Sequence, residues 1–428
     1  MNNYNDYRES LVDIPSGWKC CRFKDVYQSK KEIVGKRVDD FERLALTLKG
    51  VIKRSKDDDK GLQPTDFETY QILNRNDMVF KMIDLQNIST SRVGRTPWDG
   101  LVSPAYLRFS PKYDDPGFMY YYFMSLYYRN VFNNIAGDGV RSALNSTDIG
   151  NITCPFPNEV EQKNIVDTLN KKIAQIDSLI DNQNNQIERL KSYRQALITK
   201  AVTKGLNSDA SVRPSGVDSI GNVPSHWSLS RAKYIFTELS KGAGISKDEV
   251  FEDGDIQCIR YGEIYSKYDI SFCETYSKTK EEKIPSKVYL NYGDIVFSAT
   301  GELVEEIGKN VVYLGNEKCL AGGDIIIGRH NEDPEFLNYA MYCSASQTQK
   351  SKGKAKLKVV HISATNIGDV VVAIPPIEEQ KEISSYLNKK ITAINSIISL
   401  KNRKIEELNE YKKSIIYEYV TGKKLVTD

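Results

Sequence analysis

The sequence predicts an α+β fold: two similar mixed α/β bodies separated by two long antiparallel coiled-coil helices, related by a pseudo-two-fold internal repeat. Three observations predict it. The chain repeats itself at an offset of 218 residues. Each copy ends in a long stretch whose apolar residues step by three or four, the period of a coiled-coil seam. Short β-rich runs, punctuated by Gly, Asn and Asp, fill what precedes those stretches.

The repeat is plainest in the tails. Glu161–Thr203 and Glu379–Thr421 align without a gap and agree at 20 of 43 positions. Upstream, Asp115-Pro116-x-Phe118-x-x-Tyr121 meets Asp333-Pro334-x-Phe336-x-x-Tyr339, and Thr147-x-Ile149-Gly150 meets Thr365-x-Ile367-Gly368. Asn76-Asp77-Met78-Val79-Phe80 meets Gly293-Asp294-Ile295-Val296-Phe297 one residue out of step. Ile14-Pro15-Ser16-Gly17-Trp18 resembles Val223-Pro224-Ser225-His226-Trp227. Such self-similarity marks two copies of one structural unit. The expected segments are 1–158, 159–204, 205–375 and 376–424, alternating body and helix.

The tail helices follow from pattern and punctuation. Ile165, Leu169, Ile176, Leu179, Ile187, Leu190 and Leu197 share one stripe, as do Ile383, Leu387, Ile394, Ile397, Ile405, Leu408 and Ile415. Pro157 and Pro375 stand just before the starts, with acidic residues in the first turn at the positive dipole end. Gly205 and Gly422 fall where the patterns stop. A helix of this length reaches roughly 65 Å, too far to bury its stripe on a small body. Mutual pairing is therefore expected, with packing on the bodies as the alternative.

In the bodies, Met78–Ile83, Asp294–Ala299, Asp324–Gly328 and Val370–Ile374 read as strands. Phe118–Phe132 and Phe336–Tyr342 read as helices. Tyr120, Tyr121, Tyr122, Tyr127 and Tyr128 could stack on bases, but core packing is the expected role.

Composition narrows function. The 428 residues are 27% charged and 40% hydrophobic, with net charge +2 from 59 Lys+Arg and 57 Asp+Glu. That excludes a uniformly basic coat and leaves room for local basic faces. Seven cysteines, without a CxxC, argue against a zinc ribbon or disulfide framework and for a reducing cytoplasm. No apolar run is long enough to span a membrane.

Catalytic motifs are missing. Gly301 to Gly308-Lys309 has the wrong spacing for a phosphate-binding loop and lacks its Ser or Thr. There is no GxGxxG unit and no Asn-Pro-Pro-Tyr-type sequence of amino-methylating enzymes. His226, His330 and His361 are widely separated, so a metal cluster would need folding to assemble it. Asp148 with Glu161-Gln162-Lys163 resembles a metal-dependent nuclease set, but Glu-Gln-Lys opens a helix and Asn366 stands where the second copy would need the Asp. A helix-start box is the expected reading. No catalytic, cofactor-binding or metal-ligating residue is assigned.

Positive charge is local. Lys350, Lys352, Lys354, Lys356 and Lys358 alternate, so an extended strand would project them on one face, suited to phosphates. In the first body the DNA-contact candidates are Lys30, Lys31, Lys36, Arg37, Lys53, Arg54, Arg92, Arg95 and Arg141. In the second they are Lys241, Lys247, Arg260, Tyr261, Lys309 and that comb. Arginine suits guanine edges because it can bond them bidentately.

With the repeat, the helices and the missing catalytic motifs, the sequence resembles specificity subunits of type I restriction–modification systems over nearly its whole length. The motifs are Pro157-x-x-x-Glu161-Gln162-Lys163 and Pro375-Pro376-x-Glu378-Glu379-Gln380-Lys381, and the two Pro-Ser-x-Trp leads. Gly139-Val140-Arg141-x-x-Leu144-Asn145, Ser103-Pro104-Ala105-Tyr106, Lys241-Gly242-x-Gly244-Ile245 and Ile259-Arg260-Tyr261-Gly262 also match. Asn158 and Val160 depart from their counterparts Pro376 and Glu378.

The resemblance implies two target-recognition domains, each reading half of a split site in double-stranded DNA. It implies two modification subunits, methylating adenine from S-adenosylmethionine, and two restriction subunits, ATP-dependent translocases and endonucleases that bind ATP and Mg. The chain itself would be non-catalytic and hold no cofactor. A stand-alone nuclease and a coiled-coil scaffold binding only protein are the competing expectations.

Overall fold

The computed structural model describes residues 11, 13–56, 66–83, 85, 91–136, 143–301, 307–353 and 360–426. They form two compact units, Met1–Gln183 with Asn402–Asp428, and Asn184–Lys401. Each unit holds one body plus part of both long helices.

In the first unit a four-stranded antiparallel sheet runs in the order Tyr27–Ser29, Leu107–Pro111, Met78–Phe80, Val93–Arg95. Met78, Val79 and Phe80 are all fully buried, so both faces of that strand are covered. Helix α1, Phe118–Tyr128, carries no charged residue and packs into the core with Phe23, Phe80 and Phe109. Its five tyrosines go to packing: Tyr121 and Tyr122 are buried, and Tyr120, Tyr127 and Tyr128 flank the same cluster. One helix over 118–132 is expected from sequence. Instead Asn130 takes the left-handed conformation at φ 59, and a separate short helix, Val131–Ala136, follows.

In the second unit a five-stranded sheet runs in the order Phe236–Lys241, Ile325–His330, Ile295–Ser298, Asn310–Tyr313, Ser271–Phe272. A second sheet orders Ser277–Thr279, Ile256–Ile259, Cys319–Ala321 and Tyr289–Leu290. The helices α3, Pro334–Tyr342, and α4, Ser344–Ser351, complete this body.

Shared construction explains the shared sequence. Before each central strand an aspartate caps a tight turn: Asn74 N donates to Asp77 Oδ2 at 2.7 Å and Asn291 N to Asp294 Oδ2 at 2.8 Å. The residue just ahead is left-handed in both, Asn76 at φ 74 and Gly293 at φ 90, which accounts for Asn and Gly there. Strand Lys19–Arg22 pairs antiparallel with Thr153–Phe156, and Ser228–Arg231 pairs likewise with Val371–Ile374.

Helix α2 spans Glu159–Lys204 and α5 spans Ile377–Val420, 46 and 44 residues. Asn158 Oδ1 caps the first by accepting from Glu161 N at 3.0 Å. Gln162 Nε2 donates to Pro157 O at 2.8 Å and Gln380 Nε2 to Pro375 O at 2.9 Å, the same clamp twice. In the first unit Ile165, Leu169 and Ile176 of α2 share a core with Ile415, Ile416 and Tyr419 of α5. There Lys412 Nζ donates to Asp177 at 2.7 and 3.0 Å. In the second unit Ile198, Ala201 and Val202 share a core with Ile383, Leu387 and Ile391, and Arg194 Nη1 donates to Asn395 Oδ1 at 2.8 Å. Early α2 meets late α5 in one unit and late α2 meets early α5 in the other, so the pairing is antiparallel in both. The stripes also bury against the bodies: Tyr121 Oη donates to Asn170 at 2.5 Å and Tyr339 Oη to Asn388 at 2.6 Å. Helix pairing and body packing, alternatives from sequence, occur together.

The nuclease-like set is dispersed into structural roles. Asp148 accepts from Asn145 N at 2.9 Å, closing a capping box, while Glu161 holds an indole. Among the described residues no group of three or more His, Cys, Asp or Glu could hold a metal ion, and no helix is long and apolar enough to cross a membrane.

Candidate nucleic-acid interface

In the first body the described candidates divide by exposure. Lys30, Lys31, Lys36 and Arg37 are exposed on the segment after strand Tyr27–Ser29. Glu32 lies 4.0 Å from Lys30 Nζ and 3.2 Å from Arg37 Nη2, and both cations stay exposed. Lys53 is exposed at the end of hairpin Leu44–Thr47/Gly50–Lys53, pairs with Glu42, and stands 5.8 Å from the centroid of Trp98. Trp98 is itself exposed, an aromatic beside a cation that charge-based reading passed over. Arg54 is half-buried and its backbone N–H pairs with Arg43 O at 2.9 Å.

Two arginines are turned inward. Arg92 is 3% exposed and its Nη1 donates to Ile83 O at 3.0 Å and Lys81 O at 3.4 Å. It pins the chain after strand Met78–Phe80 rather than facing solvent, which runs against its selection as a base reader. Arg95 is half-buried and its Nη2 donates to Asp115 O at 2.8 Å. Arg141 lies outside the described residues.

In the second body a cleft of about 780 Å³ gathers Lys247, Arg260 and Tyr261, and adds Lys267. Neighbouring glycines bring its segments together. Gly242 N pairs with Ile325 O at 3.0 Å, and a Cβ there would overlap Gly322 O, so only Gly lets the two backbones meet. Gly322 N in turn pairs with Ile259 O at 2.8 Å, which seats Lys241-Gly242-x-Gly244-Ile245 beside Ile259-Arg260-Tyr261-Gly262. Lys241 is exposed at the end of its strand. Two of the cleft's three carboxylates hold backbone N–H groups: Glu249 accepts from Ser246 N at 2.7 Å, which lowers its pKa, and Glu263 accepts from Arg260 N at 2.9 Å; the third, Asp324, is exposed.

The comb is corrected at its first tooth. Lys350 is on α4, not on an extended strand, and is buried. Its Nζ donates to Gly308 O at 2.7 Å, Met341 O at 3.0 Å and Asn310 Oδ1 at 3.3 Å. Burial pushes its pKa down to about 7. Lys352 follows in a turn and is exposed; Lys354, Lys356 and Lys358 lie outside the described residues. Lys309 is half-buried, donating to Tyr268 O at 2.9 Å, and lines a cavity of about 440 Å³ with Lys350.

The long helices keep exposed apolar side chains at repeat-equivalent positions. Leu179 and Ile397 correspond, as do Tyr193 and Tyr411, and all four are exposed. The first unit therefore carries Leu179 with Tyr411, and the second carries Ile397 with Tyr193.

Comparison with known proteins fits this architecture. The family model described as the type I restriction modification DNA specificity domain matches twice, over residues 15–189 and 224–410. The MjaX specificity subunit of Methanocaldococcus jannaschii is 23% identical, covering 98% of this chain and 96% of that one. The EcoKI specificity subunit of Escherichia coli K12 is 24% identical over 76% of this chain and 67% of its own. A solved chain from work on assembly and conformational transition of the type I R-M system superposes with TM-score 0.65 at 14% identity, covering 95% of this chain and 98% of that chain. The protein belongs to the type I restriction–modification DNA specificity family, and is a DNA-recognising specificity subunit rather than a methyltransferase or nuclease subunit.

Proposed function

We propose that each body reads one half of a bipartite site in double-stranded DNA, while the paired helices dock two copies of a modification subunit. One observation carries this reading: the frame contacts recur pair for pair in the two copies, whereas the bodies they hold differ in strand number and surface. Equal frames suit equal partners, and different bodies suit different bases. Dimeric DNA readers achieve the first with identical halves.

The exposed cations supply phosphate contacts. In the first body these are Lys30, Lys31, Lys36, Arg37 and Lys53, with Arg95 and Arg141 retained as further candidates. In the second they are Lys241, Lys247 and Lys352, with Arg260, Lys309, Lys354, Lys356 and Lys358 retained as further DNA-contact candidates. The apolar pairs Leu179 with Tyr411 and Ile397 with Tyr193 are equivalent docking patches, one per unit. S-adenosylmethionine, ATP and Mg belong to the modification and restriction subunits, in a cytoplasmic complex.

Titrating the purified chain with duplex DNA at several salt concentrations tests the reading. Binding should weaken linearly on a log–log plot, by about 0.9 per phosphate neutralised. A chain that binds modification subunits but no duplex at any salt concentration would be a protein scaffold instead.

A further inference from the structure

The second body holds a cation that the fold positions and leaves unused. Arg260 follows strand Ile256–Ile259 and caps the short helix Tyr261–Ser266. Its backbone is fixed on both sides, by N–H donation to Glu263 Oε2 at 2.9 Å and by acceptance from Glu263 N at 3.0 Å. Glu263 is itself buried and held by the Ser277 hydroxyl. Among the described residues the Arg260 guanidinium donates no hydrogen bond, and its Nε is buried without a partner. A buried donor left unsatisfied is costly, and among the described residues Arg260 Nε is the one such donor on a residue lining this cleft, where an entering acceptor would meet it.

The surroundings say what that acceptor is. Arg260 lines the 780 Å³ cleft with Lys247, Lys267 and the exposed Tyr261. No side chain of the described residues lies within 4 Å of the Cβ positions of Gly244 and Gly262, so a flat group can approach the backbone there. Three carboxylates line the cleft, Glu249, Glu263 and the exposed Asp324, yet among the described residues none forms an ion pair with the Arg260 guanidinium, and Glu249 and Glu263 spend an oxygen each on a backbone N–H. A rigidly based guanidinium with free donors, flanked by lysines and one aromatic face, matches a purine edge beside a phosphate backbone. Guanine alone offers two acceptors, N7 and O6, on its major-groove edge.

We propose that Arg260 reads a guanine of the second half-site, with Tyr261 against the neighbouring base and Lys247 and Lys267 on the flanking phosphates. This rests on the DNA-reading function proposed above.

The test uses the complete chain assembled with its modification subunits. Methylation mapping defines the site, and competition binding uses duplexes in which each guanine of the second half-site becomes 7-deazaguanine, which lacks the N7 acceptor. One such substitution should weaken wild-type binding about fivefold or more. Arg260→Ala should be insensitive to that same substitution and should methylate sites altered at that position, with the first half-site unchanged. Lys247→Ala should weaken all sequences alike and lower the salt slope by about one.

The proposal is overturned if no guanine of the second half-site responds to 7-deazaguanine, a measurement that needs no variant. It is overturned if that half-site has no guanine on either strand. It is overturned if Arg260→Ala weakens every sequence equally, which would make Arg260 a phosphate clamp. In all three cases the DNA-reading function stands; only a wild-type complex that discriminates at neither half-site removes both.

Discussion

Trp18 donates its indole N–H to Glu161 Oε1 at 2.8 Å, joining the lead segment of the first body to the first turn of α2. Trp227 does the same to Glu379 Oε1 at 3.1 Å, at the start of α5. Each tryptophan also faces the end of the other helix. A Cβ at Gly422 would lie 3.5 Å from Trp18 and overlap Pro15, and one at Gly205 would lie 3.2 Å from Trp227. Both glycines are left-handed, at φ 72 and 74. One indole thus fastens a helix start, a helix end and a body in each unit, which is why Pro-Ser-x-Trp and Glu-Gln-Lys recur together.

The fastening should be measurable. Trp18→Phe keeps an aromatic ring in the core and removes the donor to a carboxylate, a loss of about 1.5–3 kcal/mol. Trp227→Phe should cost less, because His226 Nε2 still stands 2.8 Å from Glu379. Chemical denaturation checks both. The two losses should add, since the residues sit in different units and share no partner.

Lys350 gives the second unit a pH signature. Its folded pKa, about 7, lies below its ordinary value of 10.5 because burial disfavours the charge. Between those values the unfolded chain binds a proton that the folded chain does not. Stability should therefore be highest above the unfolded pKa and fall as pH drops from about 10.5 to about 7, by up to about 1.4 kcal/mol per pH unit. Lys350→Met should flatten that slope relative to wild type across the same window. Equal slopes in the two proteins would show that Lys350 stays charged on its three acceptors.

The exposed apolar pairs should set stoichiometry. Leu179→Glu with Tyr411→Glu should remove one modification subunit from the complex, and Ile397→Glu with Tyr193→Glu the other. Mass measurement of the assembled complex should step from two copies to one in each case. Loss of both copies from either variant would argue against independent equivalent patches.

Legibility followed range. The long helices and the duplication were readable because heptad spacing is local and the copies confirm each other. Even the starts at Pro157 and Pro375 fall within two residues of the observed helices. The partners of Trp18 and Glu161 were not readable, because they are 143 residues apart. Lys350 shows a different failure. Alternation says which residues would share a face if the segment were extended, but residues 344–351 are helical and carry the ammonium inward. Arg92 likewise looks identical to a surface arginine until Ile83 O and Lys81 O are seen to hold it. The cleft around Arg260 was partly readable: Lys247, Arg260 and Tyr261 were singled out as DNA-contact candidates, while Lys267 was not, because the close approach of Gly242 and Gly322 that brings these segments together is tertiary.

The central claim is that the two bodies read separate halves of one site on a common frame. The most direct measurement is genome-wide methylation mapping after residues Lys19–Gly150 are replaced by the corresponding body of a relative, with both helices and the second body untouched. The account predicts that one half-site changes and the other, with its own methylated adenine, stays as it was. A change in both half-sites, or in neither, would contradict it.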